Sequence, residues 1–208
     1  MDNIETVKVV FLGDIEKSDI ISLFVYNNNQ HKETSLSAQF GTKTVNYNEL
    51  GKSIKFDIWD TVGQEKYRSL SKIFYMDAQV IVFVYDITLR TSFESLKNYW
   101  YKEVNANVKG NPILAVIARG IEKYEYMQVN INEGKEFADE IGAIFKSVSM
   151  SSDRDISTLF DNIGKTYLIP GFNYNDAEKE YKERKEREYK ERKEREYKER
   201  KEKERKKK

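Results

Sequence analysis

With 208 residues, 39% of them hydrophobic, the chain is long enough for one packed domain and an appendage. It contains no cysteine, which excludes disulfides and thiolate metal sites and predicts no prenyl anchor. The net charge of +1 divides into about −4 over residues 1–175 and +5 over residues 176–208, so the body offers no basic surface for nucleic acid.

The first predicted element is a buried strand over Val7–Leu12, followed by a helix over Ser18–Tyr26. Residues 40–59 show two strand patterns with no helix between them. The turn Asn48-Glu49-Leu50-Gly51 joins them into an antiparallel hairpin whose second strand, Ile54–Trp59, alternates apolar and polar residues. Ala78–Tyr85 and Ile113–Ala118 are continuous apolar runs, as expected of strands covered on both faces. A helix over Ser92–Val108 separates them. A helix over Asn132–Ile141 follows, with Asn132 and Glu133 as its cap signal, then a final strand over Ala143–Val148. A helix over Ile156–Tyr167, with Asp155 as its cap, completes the body. This alternation predicts an α/β fold: a mostly parallel sheet with one antiparallel edge strand and helices on both faces.

The body is assigned to residues 1–170 and a low-complexity tail to 171–208. The octapeptide EYKERKER fills 180–187 and 188–195 and begins again at 196. Opposite charges four apart, as in Glu180/Arg184 and Glu183/Arg187, suit an exposed helix; the composition also suits a disordered segment. Tyr181, Tyr189 and Tyr197 recur every eight residues, a spacing that drifts by about 80° per repeat and makes no coiled-coil seam. The functional alternative for the tail is a weak contact of Lys206-Lys207-Lys208 and neighbouring cations with anionic membrane, reduced by the interspersed glutamates. Met1–Thr6 has neither a basic region nor an apolar run, and no stretch approaches the length of a membrane span. The expectation is a cytoplasmic monomer without a secretory signal.

The chemistry is concentrated in Trp59-Asp60-Thr61-Val62-Gly63-Gln64-Glu65, one substitution from the WDTAGQE of the second switch in the Ras superfamily. Lys66-Tyr67-Arg68-Ser69-Leu70, Val84-Tyr85-Asp86-Ile87-Thr88, Ser92-Phe93 and Trp100 follow in the expected order. Over about Val7 to Leu168 the chain resembles the Rab-type small GTPases, the early-endosomal branch in particular. The resemblance implies a P-loop NTPase-like fold, a role in vesicle traffic, and GTP or GDP with Mg²⁺ as ligands. It places Asp60 near the metal, the Gly63 amide at the γ-phosphate and Gln64 at the attacking water. It gives Ser35, in Thr34–Phe40, the place of the metal-binding threonine of the first switch. Phe40, Trp59 and Phe74 match the aromatic triad shown to protein effectors; ordinary core packing explains the same residue types equally well. The single histidine, His31, lies in polar sequence and is assigned no role.

The phosphate loop departs from that pattern. GxxxxGK[ST] does not follow the first strand; the chain reads Gly13-Asp14-Ile15-Glu16-Lys17-Ser18-Asp19-Ile20. Without a gap, Asp19 and Ile20 take the lysine and Ser/Thr places. With a two-residue deletion, Lys17 and Ser18 keep them, Glu16 replaces a glycine, and Ile20, Ile21 and Phe24 fall on apolar helix positions, so this alignment is preferred. The base-reading NKxD becomes Arg119-Gly120-Ile121-Glu122. Glu122 keeps a carboxylate on a longer arm, whereas arginine has no acceptor to replace the asparagine. Ser149-Met150-Ser151 stands for the later base-contacting motif, with the Met150 amide as its donor. The expectation is a divergent Rab-like interaction module with weak or absent nucleotide binding, recruited to endomembranes through a partner. The alternative is an active, atypical GTPase that uses Lys17, Ser18 and Gln64.

Overall fold

The computed structural model describes residues 4–26, 39–61, 68–151 and 153–205, and divides into two compact units, Met1–Pro170 and Gly171–Lys208. In the first unit six strands form one sheet: β1 (Glu5–Leu12), β2 (Gln39–Tyr47), β3 (Lys52–Asp60), β4 (Val80–Asp86), β5 (Ile113–Arg119) and β6 (Ile144–Val148). Their order across the sheet is β2-β3-β1-β4-β5-β6; β2 runs antiparallel to β3 and every other pairing is parallel. The predicted hairpin is therefore the edge of the sheet. Its chain reverses through a 3₁₀ turn at Asn48–Leu50 and the left-handed Gly51.

Burial follows the sequence pattern. β4 is buried from Val80 to Tyr85, whereas β3 alternates buried Ile54, Phe56 and Ile58 with half-exposed neighbours. On one face, α1 (Ser18–Tyr26) and α6 (Arg154–Leu168) close over an aromatic stack. Phe24 and Phe160 lie ring on ring at 3.6 Å, with Phe56 edge-on at 5.1 Å from Phe160. The other face buries Val10, Phe83, Tyr85, Phe93, Leu96, Trp100 and Phe137 beneath α2 (Arg68–Tyr75), α3 (Arg90–Ser95), α4 (Tyr101–Asn107) and α5 (Ile131–Glu140). Such stacked rings combine large apolar burial with favourable quadrupole geometry.

Several local expectations change. Residues 90–107 do not form one uniform α-helix: a π-helical turn, Leu96–Trp100, separates α3 from α4. The cap of α5 is Asn130, not Asn132. The Asn130 side chain accepts from the Asn132 amide at 2.9 Å while the Glu133 carboxylate reaches back to the Asn130 amide at 3.3 Å, a reciprocal capping box. Asp155 lies in the first turn of α6 and pairs with Lys146 at 3.6 Å; the cap position is Asp153, without a side-chain cap bond. The short α2 and the 3₁₀ segment Ile121–Tyr126 complete the unit. In the second unit, α7 (Tyr174–Arg205) is one helix of 32 residues.

Candidate functional site

Gly13 directly follows β1 with φ +144°, and a Cβ on it would lie 2.3 Å from the carbonyl oxygen of Val84. Only glycine permits this backbone-on-backbone approach, so the bend that starts the loop is fixed against β4. Three residues then lead to Lys17, whose carbonyl accepts the Ile21 amide and so begins α1. The loop lies beyond the carboxyl ends of the parallel strands, the usual ligand position in such sheets.

Lys17 is fully buried at its side chain. Its ammonium donates to the carbonyls of Gly13 at 3.1 Å and Ile15 at 2.9 Å, and stands 3.8 Å from Asp60 Oδ1. Burial holds its pKa below the ordinary lysine value; the Asp60 and Asp14 carboxylates oppose that shift and Arg119 reinforces it. The Ser18 hydroxyl donates to Asp60 Oδ2 at 2.8 Å, and the Thr61 hydroxyl donates to the Phe11 carbonyl at 2.7 Å, tying the end of β3 to β1. Asp60 Oδ1 is buried and makes no hydrogen bond. A cation, or a water attached to one, matches that orphaned oxygen and the adjacent Ser18 hydroxyl, so this corner fits Mg²⁺. Ile20 is fully buried in the helix, and it is Lys17 and Ser18 that meet Asp60.

The loop is also held from outside, through contacts that the sequence does not indicate. The Asp14 carboxylate accepts from the Trp100 indole N–H at 2.9 Å and from the Ser95 hydroxyl. Arg119, at the end of β5, donates from Nη1 to the Glu16 carbonyl, and its Nε lies 3.3 Å from Asp86 Oδ2. The one readable signal was the arginine itself, a long donor where the family pattern has a short amide. Gly120 then turns with φ +85°, its Cα so close to the Asp86 carboxylate that an added Cβ would lie 3.2 Å from Oδ1.

On the base side the structure brings Glu122, Ser149 and Met150 together. Glu122 is exposed and Oε2 accepts the Met150 amide at 3.4 Å, while the hydroxyls of Ser149 and Ser151 lie 2.7 Å apart. The acceptor and the donor expected to face a base therefore face each other. Ser35, Gly63 and Gln64, together with His31, lie outside the described residues.

Phe40, Trp59 and Phe74 adjoin. Phe40 pairs with Trp59 across β2 and β3 with ring centroids 4.9 Å apart, and Trp59 lies 5.8 Å from Phe74. Phe40 is 50% exposed and Ile73 69%, while Trp59 and Phe74 are partly buried against the core, so the triad is anchored below and open above.

The chain is matched over residues 8–169 by the Ras family model. It is 34% identical to the Ras-related protein Rab-22A of Homo sapiens over 183 residues, 86% of this chain and 92% of that one. Against the Ras-related protein Rab-31 of Homo sapiens the identity is 37% over 180 residues, 84% and 90% of the two chains. Against the Ras-related protein RabC of Dictyostelium discoideum it is 29% over 157 residues, 74% and 80%.

Proposed function

The chain belongs to the Rab-type small GTPases of the Ras superfamily, and from that premise we propose that it serves vesicle traffic as a protein-binding module with a feeble hold on guanine nucleotide. The observation that carries this reading is the shortened loop. Only three residues separate Gly13 from Lys17, so fewer backbone N–H groups are available to wrap a phosphate, and the Lys17 ammonium is satisfied by the loop's own carbonyls. Losing two charge-assisted hydrogen bonds at about 1.5–3 kcal/mol each removes about 3–6 of the ~12 kcal/mol of a nanomolar complex. The base side adds to the loss, with Arg119 committed to Glu16 and Asp86 and Glu122 to Met150.

Partners are read at the ring cluster of Phe40, Trp59 and Phe74, where a half-exposed aromatic sits on a rigid base, the usual anatomy of an interface anchor. Among the described residues no helix is long and apolar enough to cross a membrane, and the chain has no cysteine to carry a lipid. Endomembrane association, which the relatedness to Rab proteins supports, is assigned in this reading to a protein partner.

Titration of the purified protein with a fluorescent guanine nucleotide in Mg²⁺ tests this reading. Dissociation constants well above micromolar are expected; Mg²⁺-dependent binding at micromolar or tighter overturns it. A second reading, an active GTPase, draws on the Lys17–Ser18–Asp60 corner with its orphaned Oδ1. When bound, Mg²⁺ would supply charge neutralisation of the phosphates, with Ser18 and Asp60 as its protein partners. On that reading Gln64→Leu abolishes phosphate release; release unchanged by the substitution removes it.

A further inference from the structure

We propose that α7 is a self-supporting helical spacer, a single rod that keeps its ends apart without a partner helix. This inference is independent of the nucleotide reading above. The 32 residues of Tyr174–Arg205 run without a break, which at 1.5 Å per residue gives about 48 Å. Every side chain from Glu183 to Tyr197 is exposed, so no apolar face is buried to hold this stretch.

What replaces burial is charge order. In every charged pair four apart with both members between Glu180 and Lys203, the two are opposite in sign: Glu180/Arg184, Lys182/Glu186, Glu183/Arg187, Arg184/Glu188, and so through the repeats. The octapeptide guarantees this, because its second half inverts the signs of its first and the two tyrosine-related positions carry no clash. Residues three apart are also neighbours on the helix and mostly carry like charges here, so the support comes from the spacing of four. The structure shows it in pairs such as Lys190–Glu186 at 2.8 Å and Arg184–Glu188 at 3.9 Å, and adds the opposite pairs three apart, Lys185–Glu188 and Lys193–Glu196. Tyr189 does not form an apolar seam; Arg192 and Lys193 lie over its ring at 5.5 and 5.8 Å. A sequence of this kind, helical and unpartnered, behaves as a semi-rigid spacer.

The test uses the full chain. Because it has no cysteine, Asp176→Cys and Lys201→Cys provide two unique labelling sites. Spin labels there should give a narrow distance distribution near about 38 Å, set by 25 residues of helical rise. A broad distribution near about 25–30 Å, the span of a flexible coil of that length, overturns the proposal. An exchange of six glutamates for glutamine (E183Q, E186Q, E188Q, E191Q, E194Q, E196Q) keeps helix propensity and removes most of the opposite-charge pairs of the two full repeats at both spacings. It should lose the narrow peak. A peak that survives the exchange shows that charge order does not hold the rod, and concentration-dependent distances between chains show a paired helix in its place; either result overturns the proposal.

Discussion

The Trp100 indole N–H donates to the Asp14 carboxylate at 2.9 Å, so a residue at the end of the π-helical turn holds the residue that follows Gly13. Trp100 is buried, and its ring also packs near Tyr99 at 5.2 Å. Trp100→Phe keeps an aromatic ring and deletes the donor. Urea unfolding should show a loss of about 1–3 kcal/mol, the scale for a hydrogen bond to a charged group. An unchanged midpoint and slope mean the bond contributes nothing to stability.

Gly134 lies beneath Tyr85, and a Cβ there would stand 1.9 Å from the phenolic oxygen and 2.8 Å from Cζ. Gly134→Ala is expected to lower stability by about 1–3 kcal/mol through overpacking, despite the better helix propensity of alanine. Tyr85→Phe alone should be neutral or slightly stabilising, because the buried hydroxyl has no hydrogen-bond partner. Combining the two should recover part of the alanine penalty in thermal unfolding. Full additivity contradicts the contact.

Arg90 and Glu133 meet through two hydrogen bonds, at 2.6 and 3.0 Å, while Glu133 also closes the cap of α5. The hydrogen bond from Arg90 holds the Glu133 pKa below its ordinary 4.5; burial opposes the shift. A carboxyl whose folded pKa is depressed stabilises the fold above its unfolded pKa and loses that contribution as pH falls through the folded value. Stability measured from pH 6 down to pH 3 should therefore decline less steeply in Glu133→Gln than in the parent. Equal slopes in the two proteins would remove the pair from the acid response.

Ser18→Ala deletes the donor to Asp60 Oδ2 beside the already orphaned Oδ1. Stability should fall by about 1–3 kcal/mol, and any Mg²⁺ dependence of residual nucleotide binding should disappear with it. Persistence of that dependence in equilibrium titrations separates Ser18 from the metal.

Phe40 lies half outside the fold, so Phe40→Ala should change stability by only a few tenths of a kcal/mol. Binding to a partner recovered with the parent protein should weaken by about 2 kcal/mol or more if the ring is an interface anchor. Calorimetry on the two proteins distinguishes this from a packing role, which would lower the melting temperature and spare binding.

Much of the sheet was legible in residue type. The apolar runs at Val80–Tyr85 and Ile113–Ala118 have only one way to be covered, and α1 occupies the residues its pattern indicates. The cap of α5 was legible as Asn130-x-x-Glu133 but was obscured by Asn132, a residue of the same type inside the first turn. The π turn was not legible, because nothing local in Leu96–Trp100 distinguishes it from α-helix; its context is tertiary, with Ser95 and Trp100 both bound to Asp14. At the site, the chain's order left two places for the lysine and the hydroxyl, Lys17-Ser18 and Asp19-Ile20. The reach of Arg119 to Glu16 was not legible, since the two are 103 residues apart and meet only because β4 lies between β1 and β5.

The bend at Gly13, locked against Val84, and the start of α1 at Lys17 fix both anchor points of the loop independently of what lies between them. Strand and helix can therefore stay where they are while the intervening span is edited. Two glycines spliced between Ile15 and Glu16 would lengthen only the span between these anchors, which makes this corner a place where loop length can be varied apart from the sheet.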